Sequence, residues 1–175
     1  MKKAILIVLG LGLLVGTWAS AQNGPSQNAG KSNKGHLYLF EKTGEPDWDI
    51  VDEGAWGKMQ FNRSGPTLDF VFNGHRVSDG EDYTLIYYPD PWPGNGLICL
   101  GTGTGNSEND VHIKGSVDPE ADLPDLIVDS NEDGAKIWLV LSSDVDCVSQ
   151  NMIGWQPGEY LFEGELFLNF DYTGP

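Results

Sequence analysis

From Leu68 to Asn73 the sequence reads Leu-Asp-Phe-Val-Phe-Asn. On an extended chain this puts Leu68, Phe70 and Phe72 on one side and Asp69 and Asn73 on the other. The same period of two returns near the C-terminus, where Leu166, Leu168 and Phe170 alternate with Glu165, Phe167, Asn169 and Asp171. The run Lys136–Leu141 is apolar on both faces and reads as a central strand covered on both sides. Further strand candidates are 36–42, 56–61, 83–88, 97–101, 111–117 and 160–163. Between them lie Asn73-Gly74, Asp79-Gly80, Pro93-Gly94-Asn95-Gly96, Asn131-Glu132-Asp133-Gly134 and Pro157-Gly158, all with turn chemistry. No window of eleven or more residues keeps a 3.6-residue apolar period. The expectation is an all-β chain forming a single antiparallel sandwich of about eight strands.

The segment Val77-Ser78-Asp79-Gly80-Glu81-Asp82-Tyr83-Thr84-Leu85 resembles the corner that leads into a strand in immunoglobulin-like and fibronectin-like sandwiches. There a tyrosine hydroxyl bonds to backbone a few residues upstream. The resemblance implies that role for Tyr83 and an immunoglobulin-like β-sandwich for the domain. A wider likeness rests on YTLIYYPDPWPGNGLICLGTGTGNSENDVHIKGSV, DGAKIWLVLSSDVDC and GWQPGEYLFE. These stretches resemble a group of uncharacterised exported β-sandwich proteins of archaea and environmental bacteria. That likeness implies architecture and export, and transfers no catalytic or ligand residue.

Residues 1–21 read as a signal peptide: Lys2 and Lys3, an apolar stretch from Ala4 to Val15, then Ala19-Ser20-Ala21. The apolar stretch is short for a membrane anchor. Residues 22–35 have no large apolar side chain and read as a flexible leader, with the folded domain at 36–175. The expected location is outside the cell, without membrane insertion after cleavage. In that compartment the isolated pair Cys99 and Cys147 is best read as a disulfide, two buried thiols being the rival.

The whole chain carries 10 basic against 26 acidic residues, a net charge of −16. Lys2, Lys3, Lys31 and Lys34 precede residue 36 and no acid does, so 36–175 holds 6 basic and 26 acidic residues, a net of −20. Nucleic acid is excluded as a partner, because phosphate binding needs clustered Lys and Arg. Docking on an anionic membrane surface is disfavoured for the same reason.

Two constellations stand out. Asp129, Asn131 and Asp133 in Asp129-Ser130-Asn131-Glu132-Asp133-Gly134 form the opening half of a calcium loop. The second half fails, since Lys136 and Val140 stand where an apolar residue and a bidentate Glu are needed. A shorter calcium turn and a plain Asx-rich turn both remain open. No other cofactor is required. The second constellation is the aromatic loop containing Tyr87, Tyr88, Asp90 and Trp92, in which three prolines order the backbone around a stacking platform. Trp48, Trp56 and Trp155 could extend it into a surface for sugar rings. The rival is a loop that folds back, with Trp92 as a plug. Gly101-Thr102-Gly103-Thr104-Gly105-Asn106 lacks phosphate-loop spacing and reads as a loop between strands.

No GxSxG elbow, Ser-His-Asp signature or CxxC pair is present, and no catalytic residue is assigned. The expected function is that of a secreted, non-enzymatic protein of unknown specific role, in extracellular binding or an envelope-associated structural part, with an extracellular glycan or envelope component as the candidate partner. A calcium-stabilised carbohydrate-binding module is the alternative. A small acidic hydrolase is the second alternative, kept open by the abundance of carboxylates.

Overall fold

Alternating apolar residues build two sheets. The computed structural model describes residues 32–174, so the expected signal peptide and residues 22–31 of the leader lie outside the described residues. In chain order the strands are β1 (Lys34–Phe40), β2 (Trp56–Asn62), β3 (Ser64–Gly65), β4 (Leu68–His75), β5 (Asp82–Tyr88), β6 (Ile98–Thr104), β7 (Asp110–Val117), β8 (Lys136–Leu141), β9 (Val145–Asp146), β10 (Asn151–Met152), β11 (Phe162–Glu163) and β12 (Asp171–Tyr172). Seven of them are six to eight residues long and five are two-residue pairings. The described residues contain no α-helix, only 3-10 turns at Ser142–Asp144 and Pro157–Glu159. No helix among them is long and apolar enough to cross a membrane.

The larger sheet has the order β11-β1-β2-β4-β7 and the smaller β6-β5-β8. Every ladder in both is antiparallel. The exception to the all-antiparallel expectation is β12, which runs parallel to β3. It does so because the C-terminal tail returns along the β3 segment, Asp171 N–H donating to Arg63 O at 2.8 Å and Thr173 N–H to Gly65 O at 2.9 Å.

In the larger sheet, register brings Leu37 opposite Met59, Met59 opposite Phe72, and Phe72 opposite Ile113. All four are buried, as are Leu39, Phe61, Phe70 and Val111 on the same face. Burying each such side chain contributes about 1.5–3 kcal/mol. The opposite face carries Lys58, Gln60, Asp69, Asn73, His112 and Lys114 and faces solvent or is half-buried. The smaller sheet closes the core with Leu85, Ile137 and Leu139.

The two sheets approach each other at both margins. On one side Leu161–Glu163 joins them, bridging Leu139 of β8 and pairing with β1. On the other, β6 lies close over β7 because glycines remove the intervening side chains. A Cβ on Gly101 would stand 2.8 Å from Ile113 Cγ2, and one on Gly115 would stand 3.0 Å from the Leu100 carbonyl. The Gly-rich run expected to be a loop is therefore strand as far as Thr104. Its glycines serve close sheet packing, a role that local turn chemistry cannot reveal.

The outward face of β5 and β8, with Ile86, Trp138 and Val140, is also buried. Residues 142–160 fold back over it as a third layer. Met152 N–H donates to Pro93 O at 2.9 Å, Gly96 N–H donates to Gln150 O at 3.0 Å, and Ser142 and Thr84 hydroxyls bond at 2.8 Å. The Cys99–Cys147 disulfide fastens this layer to β6 across a sequence separation of 48.

Closing a loop of that length removes unfolded-chain entropy worth about 4 kcal/mol. A Cys99→Ser/Cys147→Ser double variant should unfold in urea with stability lower by about that amount. An unchanged midpoint would show that the third layer holds without its staple.

Candidate functional site

The third layer and the β5–β6 loop meet in a cleft of about 690 Å³ over the outer face of the small sheet. Trp48, Tyr88, Trp92, Trp138 and Trp155 wall it, and Glu45, Asp90 and Lys136 supply charge. Trp138 forms its floor. Its ring stacks on Tyr88 with centroids 3.8 Å apart at 12°, and meets Phe162 edge-on at 5.2 Å. Trp155 lies edge-on to Trp92 at 5.3 Å and to Tyr160 at 5.7 Å. Trp48 packs edge-on against Phe162 at 5.4 Å. Trp138 is buried, whereas Trp92 and Trp155 are 52% and 42% exposed. Trp92 is thus a presented ring and not a plug.

Gly94 makes the loop possible. Its φ of +76° favours glycine, and a Cβ there would stand 2.5 Å from the Tyr88 ring. A smaller side pocket of about 230 Å³ shares Trp48, Lys136, Trp138 and Trp155 with the cleft and adds Lys42, Phe162 and Glu163. Glu163 is buried and accepts a hydrogen bond from Trp138 Nε1 at 2.6 Å. Burial raises the Glu163 carboxyl above its ordinary range, against the opposing pull of Lys42, the Trp138 N–H and Lys136. Lys136 pairs with Asp90 at 2.5 Å.

A larger depression of about 760 Å³ lies along the larger sheet near Lys34, Gln60, Asn62, Asp69 and Lys114. None of its lining residues is a tryptophan. The aromatic cleft is the better-built site.

Of the aromatic-loop residues, Tyr88, Asp90 and Trp92 line the cleft and Tyr87 does not. Tyr87 points to the other face of β5, where its hydroxyl donates to Asp129 at 2.8 Å and accepts from Asp125 N–H at 3.2 Å. Trp48 and Trp155 join the cleft as expected; Trp56 instead lies against His75 at 4.6 Å. Sequence reasoning missed Trp138, which it placed in a covered central strand, along with Glu45, Lys136 and Glu163. One signal was present: Lys136 and Trp138 share a strand face, so that face begins with a charge at the rim.

The acidic turn is organised by its own hydrogen bonds. The buried Asp129 carboxylate accepts from the Tyr87 hydroxyl, from Asp90 N–H at 3.0 Å and from Asn131 N–H at 2.9 Å. The Asn131 amide donates to Gly134 O at 2.9 Å, its oxygen accepts from Asp133 N–H at 3.3 Å, and Asp133 is exposed. Asp129 thereby ties the start of the aromatic loop to the turn. Among the described residues no group of three or more His, Cys, Asp or Glu is placed to hold a metal ion. Asp144 is held separately, by Gln156 at 3.0 Å and by the Tyr160 hydroxyl.

Compared with known proteins, the chain matches no family model, no curated protein and no solved structure.

Burial raises Tyr88 to about 12, with Asp90 and Asp129 adding to the shift. Burial and a hydrogen bond to a carboxylate also raise Tyr87 and Tyr160. All three hold their protons more tightly when folded, so the stability they contribute is complete below about pH 10 and is lost as pH rises above it. Tyrosinate absorbance followed against pH should show these three ionising only together with unfolding. An absorbance change near pH 10 large enough for all six tyrosines of the folded protein would contradict their burial.

Proposed function

We propose that this protein is a secreted, non-enzymatic binding module with an immunoglobulin-like sandwich, whose aromatic cleft takes up an extracellular or envelope glycan. The cleft carries the proposal. Four tryptophans converge on it and two remain substantially exposed beside Asp90 and Lys136. The C–H faces of a sugar ring pack on indole, and its hydroxyls need charged or polar partners at the edge. Trp138 is held by stacking on Tyr88 and edge-on against Phe162, and Trp155 lies edge-on to Trp92 and Tyr160, so little ordering of these rings remains to be done on binding.

The immunoglobulin-like assignment is supported by the corner segment, where Ser78 N–H donates to the Tyr83 hydroxyl at 3.1 Å. Export is supported by the disulfide, which suits an oxidising compartment. The alternative in which calcium stabilises the module has less support, since Asp129 already serves three donors.

Trp92→Ala and Trp155→Ala should each weaken binding to a responsive polysaccharide by about tenfold or more. The smaller loss of stability is expected at Trp92, whose ring meets only Trp155 among the described residues, and the larger at Trp155, which packs on five other rings. Affinity electrophoresis and tryptophan fluorescence across a panel of soluble polysaccharides would read this. If no glycan shifts either signal, the reading fails. Separately, calcium added to chelator-treated protein should leave the melting temperature unchanged. A clear upward shift would restore the calcium alternative.

A further inference from the structure

Resting on the saccharide reading of the cleft, we infer that the saccharide it takes carries protonated amines: the site suits an amino-sugar chain better than a neutral or acidic one.

The walls point to a cation first. An indole or phenol ring presents a negative π face, and an ammonium group within about 6 Å of the ring centre is attracted to it. Trp92 and Trp155 stand at 76° to each other, so the cleft mouth presents ring faces in two directions. Trp48 adds a third ring, tilted at 58° to Trp155. Such a concave set of rings can surround a small cation. A hydroxyl-only sugar uses the same faces less fully.

The charges in the cleft point the same way. Lys136 is neutralised by Asp90 at 2.5 Å. Lys42 lies in the side pocket with Glu163 and acts on that carboxyl. Glu45, on the cleft wall, is exposed and has no ion pair among the described residues. Lys42 has no ion pair among the described residues but does not line the cleft itself, whose one lysine is matched and whose Glu45 carboxylate, close to the rings, is not. An incoming ammonium finds an acceptor there, whereas an incoming carboxylate or sulfate finds the cleft's lysine, Lys136, already engaged by Asp90.

The field of the whole molecule adds to this. A chain with net charge −16 attracts cations over distances set by ionic strength and repels polyanions. Amine-bearing chains are therefore drawn in, and uronate-bearing or sulfated chains are disfavoured before contact.

Short glucosamine oligosaccharides and their fully N-acetylated counterparts of equal length separate the possibilities. Titration calorimetry of the full-length mature protein would use both at low and at physiological salt, at a pH that keeps the amines charged. The free-amine oligomer should bind at least tenfold tighter at low salt, with the gap narrowing as salt rises. Glu45→Gln should weaken the free-amine oligomer severalfold and leave the acetylated one unchanged. Trp92→Ala/Trp155→Ala should abolish the preference. Equal or tighter binding of the acetylated oligomer overturns the amine inference and leaves the saccharide reading standing. A preference that persists undiminished in the double tryptophan variant also overturns it, by placing the cation on the general acidic surface. No binding of either oligomer by the wild type overturns the inference, and the polysaccharide panel then decides the parent reading.

Discussion

Three carboxylates are buried among the described residues, and each accepts a hydrogen bond from an aromatic side chain. Asp129 accepts from Tyr87, Asp144 from Tyr160, and Glu163 from Trp138. A buried carboxylate without a donor costs several kcal/mol, so each acid requires its ring to stay in place. The dependence is mutual, because a buried phenol or indole also needs an acceptor. The cleft inherits its rigidity from these pairs. Glu163 anchors the floor ring, Asp144 anchors Tyr160 beneath Trp155, and Asp129 holds the backbone entering the aromatic loop.

The second constraint is that β8 is apolar on both faces. Ile137, Leu139 and Leu141 complete the core between the sheets, which leaves Trp138 and Val140 facing outward. A two-layer structure would leave these exposed, with Ile86 beside them. The chain meets the requirement by folding residues 142–160 over that face and fastening them with a disulfide. Where this cover ends, near Trp155, the apolar face remains partly open. The cleft is the uncovered margin of a hydrophobic face, which is why it is walled by rings.

Most of the strand layout was legible because period-two alternation reports directly on one-sided burial. β2, β4, β5, β7 and β8 begin and end within two residues of the expected spans. β6 ran past its expected end because Gly101 and Gly103 signal a turn locally, while their structural reason is the nearness of Ile113 on another strand. The disulfide was readable from the cysteine count together with the expected compartment. The cleft was half legible. Trp92, Tyr88 and Asp90 advertised themselves in a proline-rich loop, but Trp138 sat in an apolar run where ring and core residue look alike. Tyr87 was misplaced onto the cleft by adjacency, since neighbouring residues of a strand face opposite ways. No sequence signal pairs Glu163 with Trp138, because the contact spans 25 positions and depends on the strap from Leu161 to Glu163.

The acidic excess also acquires a more specific meaning. Read as composition, it describes a diffuse solvated surface that favours solubility. In the fold, the stretch between Asp118 and Asp133 is not held apart by repulsion. Asp129 accepts from the Tyr87 hydroxyl, Asp125 accepts from Ile127 N–H at 3.0 Å, and Asp122 accepts from Tyr172 N–H at 2.7 Å. These acids cap backbone and aromatic donors at one end of the sandwich, and that end adjoins the loop carrying Trp92. None of these acids has a basic partner among the described residues. The same residues that fix the aromatic loop therefore leave the neighbourhood of the cleft electronegative. Structure and electrostatics come from one set of side chains, and a ligand that meets the rings meets that field as well.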